Sequence, residues 1–195
     1  MLFRSEQLKV MCDDIYPLNN SAYADKLGAG RVNVFAALNN GITKPSIVMT
    51  ERNVTDNDDE AFVVGDTIEI AGIFTNFLAP TGPVTGTLTA SSVNVSIVDG
   101  SISLGAFGPF GDTASNYSDP LQIEILAGAQ FNEKVSFELE LTDGSYTTSV
   151  FFDIIINVDY INININDVAT SITSKSLIGF NDFSSQNEGL GFIYP

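Results

Sequence analysis

Runs in which every second residue is apolar decide what this chain can fold into. From Ile42 onward, Thr, Val, Ile and Phe gather in runs of about five to ten residues, separated by Gly, Asp, Asn and Pro. Thr67-Ile-Glu-Ile-Ala-Gly-Ile and Val135-Ser-Phe-Glu-Leu-Glu-Leu alternate apolar with polar. That period suits a strand with one face in a core and the other in water. About seven strands are expected, over 46–54, 67–77, 84–90, 93–98, 121–127, 134–142 and 146–158, which is the strand count of an immunoglobulin-like β-sandwich. Asp143-Gly144 is the strongest turn signal and predicts a two-residue hairpin between the last two strands. The fold expected is therefore mainly β.

The first 41 residues keep a different period. Leu8, Met11, Cys12 and Ile15 share one face of a helix that Ser5 would cap and Pro17 would end. A second helix is expected over 31–39, preceded by Gly28 and Gly30, striped by Val32, Phe35 and Leu38, and stopped by Gly41. Two such helices bury too little surface to be stable alone, so they are expected to be loose or to dock on the sandwich. Residues 100–120 are rich in Gly, Ser, Asp and Pro and are expected to form a long loop over the sandwich. Phe107 and Phe110 there would either anchor the loop or stack on a sugar, and the absence of Trp weighs against the sugar. Beyond Asn166 the pattern fades, and Phe180, Phe183, Phe192 and Tyr194 suggest the opening of another module. The chain thus divides into a helical segment at 1–41, a linker at 42–45, a sandwich at 46–165 and an incomplete module at 166–195, as if cut at both ends.

Composition removes several functions. With 24 acidic and 8 basic residues the net charge is −16, which opposes nucleic acid and anionic lipid as partners. Histidine is absent, so no general base that titrates near neutrality is available and catalysis by this chain is not expected. Cys12 is the only cysteine, which excludes an internal disulfide and reads as a small core residue. No apolar run reaches the length of a spanning helix, and the first residues lack the features of a signal peptide.

One turn offers metal chemistry. Asp56, Asp58 and Asp59, with Asp66 close in sequence, are hard oxygen ligands at the spacing calcium uses. Ala61 stands where an EF-hand needs Gly, and the closing glutamate is missing, so the loop is not of that type. The same residues also describe a solvated acidic hairpin tip. No cofactor other than calcium is expected. Asp13-Asp14 is a second acidic pair, read as packing rather than acid-base machinery.

The stretch from Cys12 to Asn39, with Asp13-Asp14, the Asn-x-x-Tyr at Asn20 to Tyr23, and Lys26-Leu-Gly-Ala-Gly-Arg-Val-Asn33 leading into Ala37-Leu38, resembles the end of the catalytic domain of subtilisin-like serine peptidases. Asp25 departs from the glycine usual in that family. The resemblance implies that the two helices close an α/β catalytic domain whose Gly-Thr-Ser nucleophile motif lies upstream of Met1. Arg31 in that stretch can cap the helix or pair nearby, and the resemblance implies that no catalytic residue falls within this chain. Val64-Gly-Asp-Thr-Ile-Glu-Ile, followed by Thr75-Asn76, resembles the accessory sandwiches of secreted Bacteroidetes-type peptidases, and Ile172 to Asp182 and Gly189 to Tyr194 resemble the start of a following module. Together these imply a non-catalytic part of a secreted serine endopeptidase, partnered by the parent's catalytic domain and meeting protein substrate only through it. The alternative is a calcium- or glycan-binding module.

Overall fold

The structure, a computed structural model, describes residues 2–13, 15, 28–39, 44–163, 170–174, 177–180 and 192–194. Two short helices, α1 (Leu2–Val10) and α2 (Val34–Asn39), precede the strands. Nine strands build two facing sheets: β1 (Ile47–Thr55), β2 (Thr67–Asn76), β3 (Pro83–Ala90), β4 (Val95–Asp99), β5 (Ser101–Ala106), β6 (Asp112–Ser115), β7 (Leu121–Ile125), β8 (Glu133–Thr142) and β9 (Thr147–Ile156). One sheet has the order β1-β2-β7-β4, with β6 also on β2, and the other the order β5-β3-β8-β9. All the pairings are antiparallel.

The seven strands expected from the sequence are all present. Taken in chain order as A to G, they give ABED (β1-β2-β7-β4) on one sheet and CFG (β3-β8-β9) on the other, the arrangement of an immunoglobulin-like sandwich. Alternation explains the core. In β8, Val135, Phe137, Leu139 and Leu141 are buried while Ser136 and Glu140 face water. They meet Ile68, Ile70, Phe74, Leu121, Ile123 and Ile125 of the opposite sheet in one cluster. The Phe137 and Phe152 rings stack with centroids 5.5 Å apart, and the Arg52 guanidinium reaches across from β1 to lie 5.0 Å from the Phe152 centroid.

Residues 100–120 differ from the loop expected. They contain β5, which joins the free side of β3, and β6, which pairs with β2. Period two was present in Ser101-Ile-Ser-Leu, with Ile102 and Leu104 buried, but small residues masked it. β6 and β7 lie on the same side of β2 and form one interrupted strand, broken over 116–120. Asn116 bridges the break. Its Oδ1 accepts from Gly72 N at 2.8 Å and its Nδ2 donates to Ile70 O at 3.0 Å, so a side chain supplies the ladder bonds that the backbone leaves open. Gly72 is required for another reason: a Cβ there would overlap the Glu51 carbonyl oxygen, where the β1 register shifts.

Three further expectations are corrected. Ser5 lies inside α1 rather than at its cap, and the helix ends at Val10, short of Met11, Cys12 and Ile15, because Asp13 enters an extended bridge with Arg31. The second helix begins at Val34 rather than Arg31, for the same reason, with Asn33 as its cap: Ala36 N donates to Asn33 Oδ1 at 2.8 Å. The last hairpin is closed by four residues, 143–146, not two, because Asp143 Oδ1 takes the Ser145 and Tyr146 N–H groups that a tighter turn would give to a backbone carbonyl. Gly144, at φ +89°, supplies the left-handed step.

After the sandwich, β10 (Tyr160–Ile163), β11 (Thr170–Thr173), β12 (Ile178–Phe180) and β13 (Phe192–Tyr194) form a third antiparallel sheet. Its first pairing spans the expected boundary at 165. Phe183 lies outside the described residues, as do Asp14, Pro17 and Gly41.

Candidate functional site

In the acidic turn the carboxylates hold backbone. Asp56 Oδ1 accepts from Asp58 N at 3.0 Å and Glu60 N at 3.1 Å, Asp59 Oδ1 from Ala61 N at 2.9 Å, and Asp66 Oδ2 from Val63 N at 2.7 Å. These bonds shape a loop that places Asn57 and Glu60 at positive φ. Asn162 of β10 donates to Asp59 O at 2.8 Å, and Ala61, Val158 and Tyr160 form a small apolar cluster beside it. Among the described residues, no group of three or more His, Cys, Asp or Glu side chains is placed to hold a metal ion. Asp56, Asp59 and Asp66 thus each spend a carboxylate oxygen on a backbone N–H. Thermal unfolding with excess calcium and with chelator decides between the two readings of the turn: a midpoint raised by calcium and returned to its calcium-free value by Asp58→Asn and Asp66→Asn marks a cation site, and superimposable midpoints mark a structural hairpin tip.

Of the two aromatics considered for a sugar, Phe107 is buried in the sandwich core and cannot present its ring, whereas Phe110 is 60% exposed. The Phe107 backbone exchanges bonds with Thr81, which fixes the loop it anchors.

Asp13 links the stretches that carry α1 and α2. Asp13 and Arg31 exchange two backbone hydrogen bonds, at 2.8 and 3.0 Å. Asp13 Oδ2 accepts from Arg31 Nη2 at 2.7 Å and from Nε at 3.2 Å, and Oδ1 accepts from Asn33 Nδ2 at 2.7 Å. The Asn33 amide first, and then the Arg31 guanidinium, hold the Asp13 carboxyl below its ordinary range. Of the two roles open to Arg31, capping or pairing, the structure shows pairing, while Asn33 caps the helix. A carboxylate so engaged positions chain; it does not move protons.

α1 is tied to the sandwich. Ser46 Oγ donates to Glu6 Oε2 at 2.6 Å, and Lys44 Nζ to Val10 O at 3.4 Å. Between them opens a cleft of about 470 Å³ beside Lys9, Lys44, Tyr146 and Thr148. Cys12 is half-buried and its thiol donates to Leu8 O. α2 is different: Val32, Val34, Phe35 and Leu38 are all exposed, Phe35 at 77% and Leu38 at 80%. Four large apolar side chains in and beside a six-residue helix form a face that water covers poorly.

Two asparagines matter more than the sequence suggested. Asn116 is described above. Asn76, fully buried, accepts from Ser46 N and Leu78 N and donates to Ala79 O and Gly108 O. The only signal of this in the sequence is a polar residue inside the apolar run Phe74-Thr-Asn-Phe-Leu.

Acid should weaken the fold. The Asp143 carboxyl is lowered to about 2, chiefly by the Ser145 and Tyr146 N–H groups, with the Ser145 hydroxyl and Gly82 N–H adding to them. Glu133 is lowered by Ser92, Gln130 and Asn94, and Asp153 by Lys134 and Ser136. A carboxyl depressed in the folded state contributes stability above its unfolded pKa of about 4 and loses it as pH falls through the folded value. The melting midpoint is therefore expected to fall as pH drops from about 4 towards about 2, and to fall less steeply in Asp143→Asn.

Compared with known proteins, the chain matches no family model and no curated protein.

Proposed function

We propose that this chain is a non-catalytic part of a secreted subtilisin-like serine endopeptidase: the end of the catalytic domain joined to an accessory sandwich that acts as spacer or stabiliser. The observation that carries this reading is the exposed apolar face of Val32, Val34, Phe35 and Leu38, held by the Asp13–Arg31 clamp inside the segment that resembles a subtilase end. An apolar helix face wants a protein surface, and the catalytic domain of the parent is the partner the sequence pattern names. The absence of His in the chain agrees with a share of the protein that does no chemistry itself.

The experiment is complementation in trans. The chain is added to a subtilisin-like catalytic domain truncated before its last helical segment, and peptide hydrolysis is followed. The proposal expects activity to rise on addition of the chain and to stay at background with the double variant Phe35→Asp, Leu38→Asp. Equal activity with both chains would overturn it. The calcium- or glycan-binding alternative gains nothing from the bonding of the acidic turn or from the burial of Phe107, and the exposed Phe110 ring is what remains to its glycan form.

A further inference from the structure

We propose that β9 is a self-association edge, at which a second copy of this chain adds its own β9 antiparallel to make one continuous sheet across the pair. β9 ends the order β5-β3-β8-β9, and among the described residues it pairs with β8 alone. A strand edge offers unpaired N–H and C=O groups to any incoming strand, and proteins blunt such edges with bulges, charge, proline or shortness. The other edges of this sandwich carry those devices. β1 has a register shift between Met49 and Glu51 and bears Glu51 and Arg52. β4 is five residues long with a shift between Ile97 and Asp99. β5 is six residues long, and its pairing shifts at Val84/Thr85.

Of these devices β9 carries one, a single charge. It is ten residues long, in unbroken register with β8 from Glu133↔Ile156 to Thr142↔Thr147, with no proline. Its single charge, Asp153, is neutralised 2.7 Å away by Lys134. On the solvent face Phe151 is 61% exposed and Ile155 46% exposed.

The occupant is a second copy because the strand is complementary to itself. Antiparallel pairing centred on Phe151 sets Phe151 against Phe151 and Ser149 against Asp153, so aromatic meets aromatic, a hydroxyl meets the carboxylate and no like charges face each other. Two chains of net charge −16 repel elsewhere, so a contact between copies belongs where local charge is lowest, and salt should strengthen it.

Sedimentation velocity of the full chain over a concentration series tests this. A concentration-dependent dimer is expected, favoured by salt and lost in Phe151→Lys, which places two ammonium groups opposite one another while its melting midpoint stays near that of the wild type. In a Cys12→Ser background, Phe151→Cys should form a disulfide-linked dimer under mild oxidation and Ser149→Cys should not. A monomer at every concentration would overturn the proposal and leave the edge to a strand from a different protein. A dimer that survives Phe151→Lys, or one that links through position 149 rather than 151, would overturn it as well.

Discussion

Replacing Phe137 with Ala is expected to lower the unfolding free energy by about 3–5 kcal/mol, the range found when a buried aromatic is truncated and its cavity cannot collapse. Phe137 is 1% exposed, stacks on Phe152 and lies in β8, between β3 and β9, so no side of its site is free to relax. The Arg52 guanidinium would lose the ordered ring beneath it as well. Because a domain of this kind retains only about 5–15 kcal/mol in all, the variant should unfold at a fraction of the wild-type denaturant concentration. Phe137→Leu, which returns most of the volume, should recover much of the loss. Urea unfolding of the three proteins measures this; equal midpoints for wild type and Phe137→Ala would contradict the core as described.

Asn76→Ala should be nearly as damaging without touching the apolar core. It strands the buried N–H groups of Ser46 and Leu78 and the half-buried carbonyls of Ala79 and Gly108. At about 1–3 kcal/mol for each buried group left unsatisfied, less what relaxation and entering water restore, a loss of roughly 3 kcal/mol or more is expected. Asn76→Asp separates the roles of the two side-chain atoms. It keeps the acceptor but turns the donor into an oxygen facing two carbonyls, so it should be worse at pH 7 than in mild acid, where the carboxyl can carry a proton. Melting of both variants across pH measures the contrast. A wild-type midpoint for Asn76→Ala would show that the four bonds hold nothing together.

The seven strands of the sandwich were legible because each carries its own period-two pattern, and burial on one face forces register once the pattern exists. β8 shows this best, with Val135, Phe137, Leu139 and Leu141 all facing inward. β5 was harder to see because Ser101, Ser103 and Gly105 dilute the signal of Ile102 and Leu104. β6, Asp112–Ser115, has no large apolar residue and is a strand only because β2 offers it an edge, which is tertiary information. The helix boundaries failed for a related reason. Asp13 and Arg31 are far apart in sequence, and nothing in the local period says that their pairing will stop one helix early and delay the other.

The site was less legible than the fold. Asp56, Asp59 and Asp66 have the composition of a cation turn and of a hairpin tip alike, and only coordinates show that each spends an oxygen on a backbone N–H. Asn116 carried no motif and Asn76 entered only as part of the Thr75-Asn76 pair, since an asparagine says little of its role until its partners are known. The apolar stripe of the second helix, by contrast, was legible in Val32, Phe35 and Leu38, which are exposed in the folded chain.

The most direct test of the peptidase assignment is to read the coding DNA that precedes Met1. The account predicts an open frame that continues upstream without a stop codon and encodes a Gly-Thr-Ser nucleophile turn together with the His and Asp that such a site requires. An in-frame stop immediately upstream, followed by a translation start at Met1, would contradict it.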